Sequence, residues 1–171
     1  MFQKFGGNKI ILVFILLAFF AFVWGNERKN LFSNKSNETD AYSEEEKNDT
    51  SPFVIIQEKK IYVEIVREDV EVKKGLSGRA SLEDDHGMLF IFPKLDVYRF
   101  WMPDMHFPID IIWIENGKII GAEKNVSPEF DPSRPRFYTS PAPVQYVLEV
   151  NAGFVEKNGI KTGNSISFYN F

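Results

Sequence analysis

The sequence contains no cysteine, and only two of its 171 residues are histidine. The absence of cysteine excludes disulfides, thiolate nucleophiles, iron-sulfur clusters and cysteine-bound zinc. Basic residues are not in excess, because the formal net charge is −4 at pH 7. A chain without a basic surface lacks the electrostatic footprint of a nucleic-acid-binding protein. We therefore expect no nucleic-acid partner, no cofactor, and a fold that is stabilised by packing alone.

Large apolar residues, by contrast, are abundant. The chain is 44% hydrophobic and contains 17 phenylalanines. Aromatic rings bury large areas at a modest cost in side-chain entropy, so this composition predicts one domain of ordinary size with an aromatic-rich core.

The N-terminal 25 residues have the pattern of a targeting segment. Lys4 and Lys9 precede residues 10–24, which contain neither a charge nor a helix breaker. The length of this run lies between the centre of a signal peptide and a full membrane span, so a cleaved signal and a retained membrane anchor both stay open. Positive charge before the run favours a chain whose remainder lies outside the cytoplasm. We therefore expect residues 1–25 to contact the membrane and the protein to be membrane-anchored or secreted.

Residues 26–52 contain many charged residues and few large apolar ones. Such a segment cannot offset the entropy lost on ordering by burying apolar surface. We interpret it as a disordered polar linker that leads into one β-rich domain at residues 53–171.

The central stretch of the domain is residues 100–114, where bulky apolar residues surround a few polar ones. Pro103 and Pro108 interrupt it, which predicts a strand, a crossing loop and a second strand. Asn116 and Gly117 then predict a tight hairpin. A short helix with Asp69 as its N-cap is predicted within residues 67–82, and one or two helical turns within residues 152–158. Alternating apolar residues predict strands at 61–65, 144–150 and 165–169. A short apolar run predicts a core strand at 87–92, and the neighbouring turns predict strands at 97–102 and 118–123.

These elements predict a mainly β fold. We expect a small antiparallel barrel or curled sheet with one or two short helices, preceded by an N-terminal hydrophobic helix. The proline-rich residues 127–143 are expected to form a long surface loop.

Several short motifs occur in the order and spacing of a known family of small prokaryotic domains. They are GLSGR at 75–79, HGMLF at 86–90, FWM at 100–102, PIDII at 108–112, YVLEVNAG at 146–153 and IKTGN at 160–164. In these motifs the chain resembles the family catalogued as domain of unknown function 192, over about residues 61–169. The resemblance implies a compact, mostly antiparallel β domain that is often exported or membrane-anchored, and it implies no known reaction. Asn164 stands where an aspartate is usual in the family, and the proline-rich loop lacks the cysteines that some members carry.

Asp110 and Glu149 are the candidate catalytic residues. Strand alternation places Asp110 with Ile112 and Ile114, and Glu149 with Val147. A buried carboxylate without a partner is costly, so each side chain is either paired or functional. The functional interpretation is a general acid and base, or two cation ligands, with shifted pKa values. The structural interpretation is that Asp110 accepts backbone N–H groups or an arginine and fixes the crossing loop.

A second set of residues indicates a binding site near the crossing loop. Trp101, Asp104, His106 and Asp110 are expected to line a pocket, with Arg79 as a partner. Exposed rings near Trp101 would suit a sugar or a cell-envelope ligand. The methionines around His106 also suggest copper, but they do not form a repeated methionine box, so His106 is only a weak metal candidate and we expect no metal site.

Three functional hypotheses follow for the domain. The first is an extracytoplasmic module that binds a small molecule or associates with the cell envelope. The alternatives are a small-molecule hydrolase that uses Asp110 and Glu149 as paired carboxylates, and a metal-binding domain. A deep pocket that brings both carboxylates within about 10 Å would favour the hydrolase.

Overall fold

The structure of the protein is a computed structural model that describes residues 50–171. This part of the chain contains nine strands and two short helices. The strands are β1 (Phe53–Ile56), β2 (Lys59–Val66), β3 (His86–Asp96), β4 (Arg99–Phe100), β5 (Ile109–Glu115), β6 (Lys118–Val126), β7 (Tyr138–Thr139), β8 (Val144–Asn151) and β9 (Ile166–Tyr169), and the helices are α1 (Asp69–Lys74) and α2 (Phe154–Lys157).

Seven strands form one sheet in the order β6-β5-β8-β3-β2-β1-β9, and β4 pairs with β7 in a separate ribbon. The sheet curls into a half-barrel, and an isolated bridge between Lys118 and Ser165 brings its two edge strands together at one end. The mainly β fold with a curled sheet and two short helices is confirmed. The sheet is not wholly antiparallel, because β2 and β3 run parallel. Residues 67–85, which include α1, carry the chain back so that β3 starts in the same direction as β2.

Each face of the sheet packs against its own hydrophobic core. The first core contains Phe90, Trp113 and Val147, and the second contains Leu89, Ile112 and Leu148. Because side chains alternate along a strand, the buried central strands β3, β5 and β8 supply both cores. The first core is covered by the α1 segment and the crossing loop through Leu76, Met102 and Met105. Helix α2 covers the second core through Val155.

Local sequence signals placed most elements. Asn116 and Gly117 have φ values of 50° and 67°, as the hairpin prediction requires. The strand predicted at 97–102 is reduced to β4, whose partner β7 lies within the predicted proline-rich loop. Asp69 is not the N-cap of α1, since Glu68 occupies that position and its side chain makes no capping hydrogen bond. Strand β1 was not predicted.

The predictions for the N-terminal hydrophobic segment and for residues 26–49 of the linker lie outside the described residues. Across residues 50–171, no helix has both the length and the hydropathy required to span a bilayer.

Candidate functional site

The crossing loop, residues 101–108, is fixed against the turn that follows α1. The backbone N–H of Gly78 donates to the Asp104 carbonyl at 2.8 Å, and the Ser77 hydroxyl donates to the Pro103 carbonyl at 2.7 Å. Asp104 adopts a φ of 53°, in the left-handed region that aspartate tolerates better than most residues. The loop and the turn thus form two walls over the first face of the sheet.

A cavity of about 190 Å³ lies between these walls and the sheet. Its lining is mostly apolar, and one buried carboxyl belongs to it, that of Glu149. The other residues that line it are Val72, Lys73, Lys74, Gly75, Leu76, Ser77, Phe90, Phe92, Tyr98, Arg99, Phe100, Trp101, Met102, Pro103 and Met105.

Strand register places Glu149 beneath this cavity. Glu149 lies between Met88 on β3 and Ile111 on β5 in the pairing of the three strands, on the same face as Val147. The side chain is only 5% exposed. Glu149 is therefore held on a rigid central strand, and its carboxyl reaches the cavity from the floor.

Among residues 50–171, three polar residues are buried: Asp110, Ser140 and Glu149. The first two have partners, since Asp110 accepts backbone N–H groups and the Ser140 hydroxyl accepts the N–H of Tyr98. The Glu149 carboxyl forms no hydrogen bond or ion pair with any described residue. No fully enclosed side-chain oxygen in this part of the chain lacks a partner, so the oxygens of Glu149 are not fully enclosed, and Glu149 is one of the residues that line the cavity.

Burial raises the pKa of Glu149 from 4.5 to about 8. The cause is desolvation, because a carboxylate in an apolar site loses its hydration without gaining a compensating partner. The side chain is thus mostly neutral at pH 7. A neutral carboxyl can donate one hydrogen bond and accept others, whereas the carboxylate can only accept.

Three cationic side chains stand at the entrance of the cavity. Lys73, Lys74 and Arg99 line it and are exposed to solvent. None of them forms an ion pair with a residue of the described region, although the Arg99 guanidinium lies 5.0 Å from the ring centre of Phe137. The site therefore combines an apolar interior, one neutral acid and a basic entrance.

Asp110 lies on the other face of the sheet and does not reach this cavity. Its carboxylate accepts the backbone N–H groups of Asn125 at 2.8 Å, Gly153 at 3.2 Å and Val155 at 2.8 Å. Asp110 thus accepts backbone N–H groups, as the structural interpretation held. It fixes the start of α2 and the end of β6, however, rather than the crossing loop, and no arginine pairs with it.

The structure does not bring Asp110 and Glu149 together. Asp110 pairs with Val150 across β5 and β8, one residue away from Glu149 in register. Since successive residues of a strand point to opposite faces, the two carboxyls are separated by the sheet itself. The geometry expected of a paired-carboxylate hydrolase is absent at these two residues.

The other residues expected at the site are divided between the cavity and the surface. Trp101 lines the cavity at 48% exposure, and its ring lies parallel to that of Phe137. Nε2 of His106 lies 3.4 Å from Oδ1 of Asp104 at the surface, and neither residue lines the cavity. Arg79 forms a bidentate ion pair with Glu64, in which Nη2 donates to Oε2 at 2.6 Å. This pair lines a neighbouring depression next to Met88.

The arginine holds the pKa of Glu64 below its ordinary value, chiefly through the side-chain hydrogen bonds that it donates. The methionines of the copper hypothesis are buried in the first core, whereas His106 is exposed. Glu83, Asp85 and His86 cluster at the surface in a geometry that could hold a cation, and no sequence pattern pointed to them.

Sequence reasoning missed the contribution of α1 to the site. The sequence feature that could have indicated this contribution is the Lys73-Lys74 doublet followed by Gly75. A helix that ends at a glycine places its last side chains beside the following turn. The doublet can be read from the sequence, but its position near β3 and β8 depends on tertiary contacts and could not be predicted.

The fold and site together define a small half-barrel domain with a cavity of ligand size over an unpaired acid. Residues 53–168 match the family model of domain of unknown function 192, described as Uncharacterized ACR, and the chain belongs to this family. The resemblance in its motifs is thereby confirmed. No curated protein matches the chain.

Two solved structures are similar to this chain. A proposed transcription regulator from Sinorhizobium meliloti 1021 has a TM-score of 0.62 and 29% identity, over 68% of this chain and 91% of that one. A protein of unknown function from Novosphingobium aromaticivorans DSM 12444 has a TM-score of 0.60 and 28% identity, over 68% of this chain and 83% of that one.

Proposed function

We propose that the domain is a binding module that holds a small molecule in the cavity above Glu149. The observation that carries this proposal is the carboxyl itself, which is buried, lacks a partner and faces the open space. Burying a polar group without a hydrogen bond costs about 1 to 3 kcal/mol in proteins, so an unliganded site of this kind is kept at the expense of stability. A ligand that pairs with Glu149 would recover that free energy.

The size of the cavity restricts the ligand. An engineered cavity of about 150 Å³ holds one benzene molecule, and pockets for drug-sized ligands start at about 300 Å³. At about 190 Å³, this cavity suits a molecule with one ring or a short chain. A longer envelope polymer would place only a terminal group inside and would run outward over Trp101 and Phe137.

We also propose that the domain works outside the cytoplasm, at the membrane or released from it. The support is the uncharged run at residues 10–24, which follows Lys4 and Lys9. A C-terminal fusion to alkaline phosphatase, which is active only after export, tests this location. Alkaline phosphatase activity no higher than that of a fusion retained in the cytoplasm would contradict the proposed location.

A hydrolase and a nucleic-acid-binding function receive less support. A hydrolase with paired carboxylates needs both groups on one face, and only Glu149 reaches the cavity. The description of the Sinorhizobium protein as a regulator raises nucleic-acid binding. However, residues 53–171 carry 17 acidic and 14 basic side chains, so the domain offers little attraction for phosphates.

A fragment screen on the full chain, read by the methyl resonances of its four methionines, tests the binding proposal. Met102 and Met105 line the cavity, so fragments that bind there should shift these two signals. Val72→Phe, which places a ring at the cavity wall, should weaken such binding at least tenfold. Val70→Phe is the matched control, because Val70 belongs to the same helix but is 80% exposed and lies outside the cavity lining.

Fragments that bind with equal affinity to both valine variants would contradict the proposal. The same conclusion would follow if no fragment shifted the signals of Met102 and Met105.

A further inference from the structure

The walls of the Glu149 cavity are rich in aromatic rings. Phe90, Phe92, Tyr98, Phe100 and Trp101 all line it. Phe90 and Phe100 meet edge to face with ring centres 5.0 Å apart, and Phe92 stacks on Tyr98 at 3.7 Å, so these rings pack on one another as a continuous aromatic wall of the cavity. Ring faces carry negative potential and attract cations, and cages of such rings bind ammonium groups.

The ionised form of the Glu149 carboxyl would need a counter-charge in this site. Glu149 has no positive partner among the described residues, and the basic side chains that line the cavity lie at its solvent-exposed entrance. An amine from a ligand would supply hydrogen-bond donors and a counter-charge at once, and charge-assisted hydrogen bonds are the stronger kind.

We propose, on the basis of the binding function above, that the ligand is a small organic ammonium ion whose N–H groups pair with the Glu149 carboxylate between the aromatic walls. The basic side chains at the entrance add a second requirement to the choice of ligand. An anionic group at the other end of the ligand would meet Lys73, Lys74 and Arg99, so the site favours a small zwitterion, such as an ω-amino acid, over a plain amine.

Binding of this kind must release a proton. The ligand arrives as an ammonium ion and Glu149 starts mostly as the neutral acid, so forming the ion pair transfers the carboxyl proton to solvent. The affinity should therefore follow the ionised fraction of Glu149. With a pKa of about 8, the affinity should rise about tenfold from pH 6 to pH 7 and level off above pH 8.

Other titratable groups lie on the elements around this carboxyl. Lys73 and Lys74 belong to α1, Arg99 begins β4 and Tyr98 precedes it, and all four line the cavity. Glu64 on β2 occupies the same cross-strand row, two strands away beyond Met88, and is paired with Arg79. Glu123 on β6 pairs with Ile111, the neighbour of Glu149 on the other side. A Glu149→Gln variant separates the effect of these groups on the pH dependence of binding from the effect of Glu149. The substitution removes only the ionisable group of residue 149 and keeps the shape of the side chain.

Three probes of matched length test the inference by calorimetry on the full chain at pH 6, 7 and 8. They are 4-aminobutyrate, butylamine and butyrate. Alkyl amines stay protonated throughout this range, as lysine does. We expect 4-aminobutyrate to bind most tightly, butylamine more weakly and butyrate weakest of all. Affinity for both amines should rise with pH, and Glu149→Gln should lose at least tenfold in affinity together with the pH dependence.

Several results would overturn the inference. Tighter binding of butyrate, or an affinity that falls with rising pH, would show that neutral Glu149 donates to an anion instead. Binding by neither amine in the millimolar range, or equal binding by Glu149→Gln, would also reject it. The binding function itself is judged separately, by the signals of Met102 and Met105 in the fragment screen.

Discussion

Glu149 pairs across the sheet with Ile111, the residue that follows Asp110, so the two buried carboxyls of the domain point to opposite faces. This one-residue offset gives them different environments. Asp110 meets three backbone N–H groups at the start of α2 and the end of β6, while Glu149 meets a cavity. Asp110 therefore stabilises the fold through hydrogen bonds, whereas Glu149 has no partner among the described residues.

Replacing Asp110 with asparagine should destabilise the domain. The amide keeps the shape but turns one acceptor into a donor, which would face an N–H group at the start of α2, and the charge that strengthens these bonds is lost. We expect a loss of about 2 to 4 kcal/mol in the free energy of unfolding, measured by urea denaturation.

Asp104→Asn is the matched control for this variant. The same chemical change falls there on an exposed side chain, and asparagine tolerates the positive φ of residue 104. Its effect should stay below about 0.5 kcal/mol. Equal losses in both variants would contradict the structural role of Asp110.

The free energy of unfolding should fall as the pH rises from about 4.5 to about 8. In this window the folded state keeps a proton on Glu149 that the unfolded state has released, so ionisation favours unfolding. The contribution of this group to the free energy of unfolding is fully present below the unfolded pKa and is lost as the pH rises through the folded pKa. Its size is about 5 kcal/mol. Urea denaturation at pH 5, 6, 7 and 8 measures it.

Glu149→Gln should lack this slope and should exceed the wild type in stability at pH 8. Glu156→Gln, a change at an exposed position of α2, should retain the wild-type slope. A Glu149→Gln variant with the wild-type pH dependence would show that another group is responsible.

Gly87→Ala should destabilise the contact between β3 and β8. A Cβ at residue 87 would lie 2.8 Å from the backbone oxygen of Glu149, and 3.1 and 3.2 Å from side-chain atoms of Leu148 and Val150. The backbone oxygen belongs to a paired strand and cannot move aside cheaply. We expect a loss of about 1 to 3 kcal/mol in the free energy of unfolding, measured by urea denaturation. An unchanged stability would mean that the two strands can separate at this point.

Local chemistry predicted much of the fold. The alternation of residues 144–150, the Asn116-Gly117 turn and the prolines that bound the crossing loop are short-range signals, and the structure follows them. The parallel pairing of β2 and β3 and the short ribbon of β4 and β7 depend on contacts between distant segments, which no window of sequence contains.

The site was predicted only in part, for the same reason. Alternation placed Asp110 and Glu149 correctly beside their apolar neighbours, and Trp101 does line a cavity. However, only the register of β5 against β8 determines that the two carboxyls face apart. The exposed positions of Asp104 and His106 likewise follow from how the crossing loop packs on the turn after α1, through hydrogen bonds between residues more than twenty positions apart.

The most direct test is an NMR titration of the Glu149 side-chain carboxyl in the full chain, with carbon-13 labelling of glutamate and assignment through Glu149→Gln. A buried carboxyl without a partner should titrate near pH 8. A midpoint close to the ordinary glutamate value of about 4.3 would show that the carboxyl is solvated or paired, and would contradict the account of the cavity.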